Sequence, residues 1–135
     1  MLKNIIDEVK QHLTDAGLKN VYSTFDAVPT ERKGSCFTVV GVKSFSADTP
    51  LYAPFVVYFP FRAEVEVTML APGNWSMERL YEVFCEKAEP ALLEMSGMKT
   101  RLASLSLKPD SNLSRMTLRA VMDVSGTRRM ERSGT

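Results

Sequence analysis

A chain of 135 residues that is 44% hydrophobic and 24% charged can bury a sizeable core as one domain, which excludes bulk disorder. Its 17 basic residues against 16 acidic ones leave a net charge of +1, so it lacks the global basic field of a dedicated nucleic-acid binder. Two cysteines, Cys36 and Cys85, far apart and each in an apolar run, read as free buried thiols made in a reducing, intracellular place, because disulfide-framed domains are far richer in Cys.

Residues 2–16 carry Leu2, Ile5, Ile6, Val9 and Leu13 at three- and four-residue steps, the stripe of an amphipathic helix, with Gly17 as its stop. This start contains acidic residues rather than a basic flank before an apolar block, so no signal peptide is expected. No stretch approaches the ~18 apolar residues of a membrane span, and no membrane partner is expected.

A short strand is expected over Asn20 to Phe25, then a loop from Asp26 to Ser35 around Pro29 and Gly34. Cys36 to Ser46 is β-branched and aromatic and reads as a strand, with Gly41 as the site of a bulge. After turn chemistry at 47–50, every odd position from Phe55 to Met69 is apolar, and from Arg62 on the even positions are polar. That period of two marks a strand with one face on a core. Pro54 and Pro60 cannot donate to a ladder, so residues 51–60 are expected as an irregular or edge arm and 61–70 as a regular central strand.

Ala71 to Asn74 reads as a turn, and Ser76 as the cap of a second helix over 77–95, kinked or broken near Pro90. Its stripe is Met77, Leu80, Tyr81, Phe84, Ala88, Ala91, Leu92 and Met95. Residues 100–107 alternate imperfectly and 115–124 cleanly, giving two closing strands joined by a long hairpin loop at 108–114. The order α-β-β-β-α-β-β disfavours a doubly wound sheet. It predicts an α+β domain over 1–125, with a mainly antiparallel or mixed sheet and both helices on one face. Residues 126–135, with little to bury, read as a flexible basic tail.

Chemistry is sparse. His12, the lone histidine, lies on the first helix between Glu8 and Asp15 and reads as a surface residue, since no nucleophile elbow surrounds any serine. Glu64 and Glu66 share a strand face, but Arg62 flanks them and Arg115 and Arg119 can meet them across the sheet, the pattern of cross-strand ion pairs rather than an acid/base pair. Metal-ligand clusters and phosphate-cradling glycine loops are missing from the sequence, and Phe37, Phe59 and Phe61 read as core rather than as a base-stacking platform. No enzyme, cofactor or metal is expected. Two features suit association: the arm at 51–60, apolar on both faces, and the charged sheet face.

In its element order, and in the segments Met1 to Val9, Arg62 to Met69 and Met77 to Phe84, the chain resembles the tail terminator (tail-completion) proteins of long-tailed bacteriophages and phage-like elements. The resemblance implies structural work in the virion tail or neck, after synthesis in the cytoplasm of the bacterial host. Such proteins form a ring, typically a hexamer, that caps the tail tube and presents a surface to the head-completion protein, while DNA passes through the pore without sequence-specific contacts. Alternatives are a head–tail joining or other minor tail component, a small ligand-binding domain, or an enzyme. A ring needs two different patches per subunit. The candidate interface residues are Tyr52, Phe55 and Tyr58 in the arm, Arg62, Glu64, Glu66, Arg115 and Arg119 on the charged face, and Arg128 and Arg129 in the basic tail.

Overall fold

The alternating segment organises the molecule. In a computed structural model, which describes residues 2–24, 26, 35–110 and 115–131, it forms the 17-residue strand β4, Val56–Pro72. On one side of β4 lie β2 (Phe37–Ala47) and then β1 (Val21–Ser23). On the other lie β6 (Arg115–Glu131) and then β5 (Met98–Asp110). The short β3 (Leu51–Ala53) pairs with the start of β4, next to the end of β2. Among the described residues only β1 with β2 is parallel, so the sheet is mixed and the fold is α+β.

One sheet face is covered by α1 (Leu2–Asp15) and by a second helix in three pieces: α2 (Met77–Val83), a π-helical turn (Phe84–Ala88) and α3 (Glu89–Leu93). Ile5, Ile6, Val9 and Leu13 meet Leu80, Phe84, Ala88 and Leu92 over Val65, Val67, Met69, Leu118, Ala120 and Met122 in one buried cluster. At ~25 cal/mol per Å² of apolar area removed from water, this cluster is the main source of stability. Ser76 caps the second helix, its Oγ accepting the Arg79 N–H at 3.1 Å. The expected break takes the form of the π turn, which starts six residues before Pro90 and so accommodates the proline at the start of a fresh helical segment. Of the expected stripe, Met77 and Tyr81 are exposed, and the buried residues follow at steps of four from Leu80 to Leu92.

Several boundaries differ from expectation. The arm is regular strand apart from its tip, because Pro60 sits opposite the break between β2 and β3. Its carbonyl accepts the Asp48 N–H at 2.9 Å, so its missing donor points into a gap in the neighbouring strand and costs no ladder bond. The bulge in β2 falls between Val42 and Ser44 rather than at Gly41. Gly41 instead allows a close approach, since a Cβ there would lie 2.7 Å from Thr24 Cγ2. A second bulge, between Leu102 and Ser104, explains the imperfect alternation of β5. β5 also runs on to Asp110, into the segment expected as loop, and 111–114 lie outside the described residues. So does 27–34, most of the expected 26–35 loop.

The largest correction concerns the C-terminus. Residues 126–131 are not a tail: β6 continues to Glu131, with Gly126 to Glu131 paired against Phe61 to Val56. Composition misled because this stretch needs no apolar residues of its own; backbone pairing to β4 holds it. Residues 132–135 lie outside the described residues.

Candidate functional site

The register sorts the candidate residues into two surfaces. The sheet face away from the helices carries Arg62, Glu64, Glu66 and Thr68 of β4 beside Ser125, Asp123, Val121 and Arg119 of β6. Arg119 Nε reaches Glu66 Oε1 at 3.1 Å, the expected cross-strand pair. Arg62 turns away from the glutamates to Asp48, at 3.5 Å. Glu64 stands directly opposite Asp123, a like-charge pairing, and Arg101 of β5 takes Asp123 rather than Glu64. A basin of about 400 Å³ opens here, its lining including Ser44, Ser46, Arg62, Glu64, Lys99, Arg101, Asp123 and Ser125. Serines and charges of both signs give it no single-sign field.

Arg115 is on the same face but does not meet the glutamates. Its guanidinium lies 5.2 Å from the centre of the Phe37 ring. Phe37 pairs with Leu70, so it belongs to this open face and not to the core as its sequence pattern suggested. Tyr22 packs edge-on against it at 6.4 Å, and with Arg115 it covers a ring that would otherwise face water.

The second surface is the far end of β3, β4 and β6, which forms a three-stranded arm. Tyr52, Val57 and Met130 lie side by side on the helix face, and Leu51, Tyr58 and Arg129 on the open face. Leu51, Tyr52, Phe55 and Met130 are each 60–70% exposed. Pro54 and Phe55 make the tip, where Phe55 has φ 65°. A positive φ after proline is the pattern of a type II turn, which prefers Gly at that place. A bulky aromatic held there, and exposed, is a local cost with no folded-state return.

Arg128 departs from expectation. It sits on the helix face of β6, with Nη1 2.9 Å from Glu8 Oε1 and the guanidinium 5.8 Å from the centre of the Phe61 ring. It is a tie between α1 and the arm. Its neighbour Arg129 is exposed. Trp75 follows β4 at the end opposite the arm, with the Arg79 guanidinium 3.7 Å from the centre of its ring.

The remaining chemistry is modest. His12 is half-buried, and its expected orienting carboxylates are engaged elsewhere, Glu8 by Arg128 and Asp15 by Gln11 Nε2 at 2.8 Å. Both cysteines are free; burial pushes the Cys36 thiol up, against a smaller lowering by Arg79, so it is held protonated at neutral pH. Among the described residues no group of three or more His, Cys, Asp or Glu could hold a metal ion, and no helix is long and apolar enough to cross a membrane.

No protein-family description matches this chain, and no curated relative matches it. Among solved structures, it is similar to the core region of PilO from the type IV pilus system of Pseudomonas aeruginosa, at 11% identity and a TM-score of 0.28, over 70% of this chain and 82% of that one, a likeness too slight to bear on function.

Proposed function

We propose that this protein is a tail terminator: a structural protein that forms a ring, a hexamer by resemblance, on the head-proximal end of a phage tail tube and offers its outer surface to the head-completion protein. The observation that carries the reading is the arm. A 17-residue strand runs past the body of the sheet and ends in exposed Leu51, Tyr52, Phe55 and Met130. Exposed apolar side chains on both faces of the arm and at its strained tip favour burial against another chain.

The open sheet face supplies a second, chemically different patch of Arg119, Glu66, Arg62 and Glu64. Two unlike patches suit the heterologous contacts that close a ring. A chain of net charge +1 also suits a pore through which DNA slides without being gripped. The ring would sit in the virion neck after assembly in the host cytoplasm, with the tube protein and the head-completion protein as partners and no catalytic step.

The test is electron microscopy of tail-tube protein from the same genome, assembled with and without this chain. Shorter tubes ending in a ring are expected. Unchanged, uncapped tubes would reject the terminator role and leave the head-side joining role.

A further inference from the structure

We propose that the arm tip docks into an apolar cleft at the opposite end of a second copy of this chain, so that copies join head to tail through Phe55. The proposal deepens the assembly reading above, on which it rests for the expectation that copies meet.

The cleft lies where α1 hands over to β1. Leu18, Val21 and Tyr22 line it with Thr14 and Gly17, and Lys19 stands exposed at its rim; its volume is about 520 Å³. It is an open, shallow depression, wide enough for one apolar side chain. Phe55, 68% exposed, is an aromatic side chain in search of such a site. Aromatic side chains seated in desolvated pockets recur as interface anchors.

Tip and cleft of one molecule cannot meet. β1 lies beside Thr38 to Val40, which pair with Met69 to Val67, whereas the tip precedes Val56 on the same strand. Eleven residue steps separate Val56 from Val67, roughly 35 Å at ~3.3 Å per residue. The contact therefore joins two molecules, and because donor and acceptor are different surfaces it propagates until the rotation closes it.

Charge agrees with this pairing. Glu131 pairs with Val56 beside the tip, and Lys19 stands at the rim of the cleft. Both are exposed, and neither is in an ion pair among the described residues. Seating Phe55 in the cleft brings these opposite charges to one rim, where they steer the approach.

Sedimentation velocity on the purified full chain tests this. Two exposed substitutions disable one surface each: Phe55→Asp the tip, and Thr14→Arg, on the outer face of α1, the cleft. Wild type is expected to form species larger than a dimer. Each variant alone should associate at least about tenfold more weakly. An equal mixture should form a dimer and nothing larger, because one intact tip meets one intact cleft. Lys19→Glu should weaken association, and adding Glu131→Lys should restore it. Wild type that stays monomeric into the millimolar range, Phe55→Asp that sediments as wild type, or a mixture that stays monomeric although both variants melt like wild type would each overturn the proposal. Tubes left uncapped by a chain that passes these tests would reject the terminator reading alone. Capping by Phe55→Asp would reject the tip contact alone.

Discussion

Arg128 and Glu8, 120 residues apart in sequence, meet at 2.9 Å and fasten α1 to the root of the arm. Two other guanidinium nitrogens of Arg128, Nε and Nη2, are buried without a hydrogen-bond partner among the described residues. Glu8 is then the compensation for a charge that is already poorly solvated. Removing the acid leaves that charge stranded, while removing the base relieves it. Glu8→Ala should cost about 1–2 kcal/mol, and Arg128→Met, which keeps the stem packed near Phe61, less than about 1 kcal/mol. Urea unfolding of the two variants checks the order; a larger loss for Arg128→Met would reject this account.

Gly126 is the first residue of the segment that composition assigned to a tail. A Cβ there would lie 3.0 Å from the Gly97 carbonyl oxygen and 3.2 Å from both the Phe61 ring and Met98. The carbonyl is main chain and Phe61 is fully packed, so neither gives way cheaply. Gly126→Ala should therefore destabilise the protein by about 1–3 kcal/mol, as overpacking does. Thermal unfolding decides it, because a residue in a loose tail would show no change.

The central alternation from Phe61 to Met69, the first helix, the Ser76 cap and the Arg119–Glu66 pair were all legible, because each is written in local spacing. What was not legible depended on non-local pairing. Gly126 to Glu131 has no apolar pattern of its own and becomes strand only because β4 lies beside it. Phe37 looked like core because it alternates with polar residues as Phe59 and Phe61 do, yet the register of β2 against Leu70 turns it to the open face. Arg128 looked like part of a basic cluster, and only the packing of α1 brings Glu8 to it. The α1–β1 cleft left no sequence signal, since Leu18, Val21 and Tyr22 each read as ordinary strand or turn residues.

Asp26 gives a pH-dependent tie between β1 and α1. Its Oδ2 accepts Lys10 Nζ at 2.8 Å, the Ser23 N–H at 2.7 Å and the Ser23 Oγ at 3.1 Å. The Lys10 hydrogen bond first, then the Ser23 amide, hold its pKa at about 2. An unfolded Asp titrates near ~3.9, so the folded chain binds the proton less well. The tie is fully present above about pH 4 and is lost as the pH falls toward 2. Lys10→Ala should move the Asp26 titration, followed by carbon NMR, up toward the ordinary carboxylate range. Its stability deficit should vanish at the acid end of that window.

On the open face, Arg119→Glu separates folding from assembly. Its side chain is 55% exposed and the pair with Glu66 is at the surface, so the ion pair is worth only about 0.2–1 kcal/mol to the fold. Reversal places a fourth carboxylate beside Glu64, Glu66 and Asp123 on one face. If that face meets the tube or a neighbouring subunit, capping should fail in a chain that still melts within a few degrees of wild type. Tubes capped normally by Arg119→Glu would remove this face from the interface.

Phe55 sets stability against assembly at a single position. With φ 65° it occupies backbone space that costs an L-residue roughly 1–2 kcal/mol and glycine almost nothing. Its side chain is 68% exposed, so truncating it forfeits little packing within the chain. Glycine loses more freedom on folding, which takes back about 0.5–1 kcal/mol. Phe55→Gly should on balance stabilise the isolated chain, by up to about 1 kcal/mol in urea. The same substitution removes the ring that seats in the cleft, so self-association should weaken about tenfold or more. A residue selected for the fold alone would show the opposite pairing: loss of stability with association unchanged. The two measurements on one variant therefore establish whether the strain at the tip is retained for the contact it makes outside its own chain.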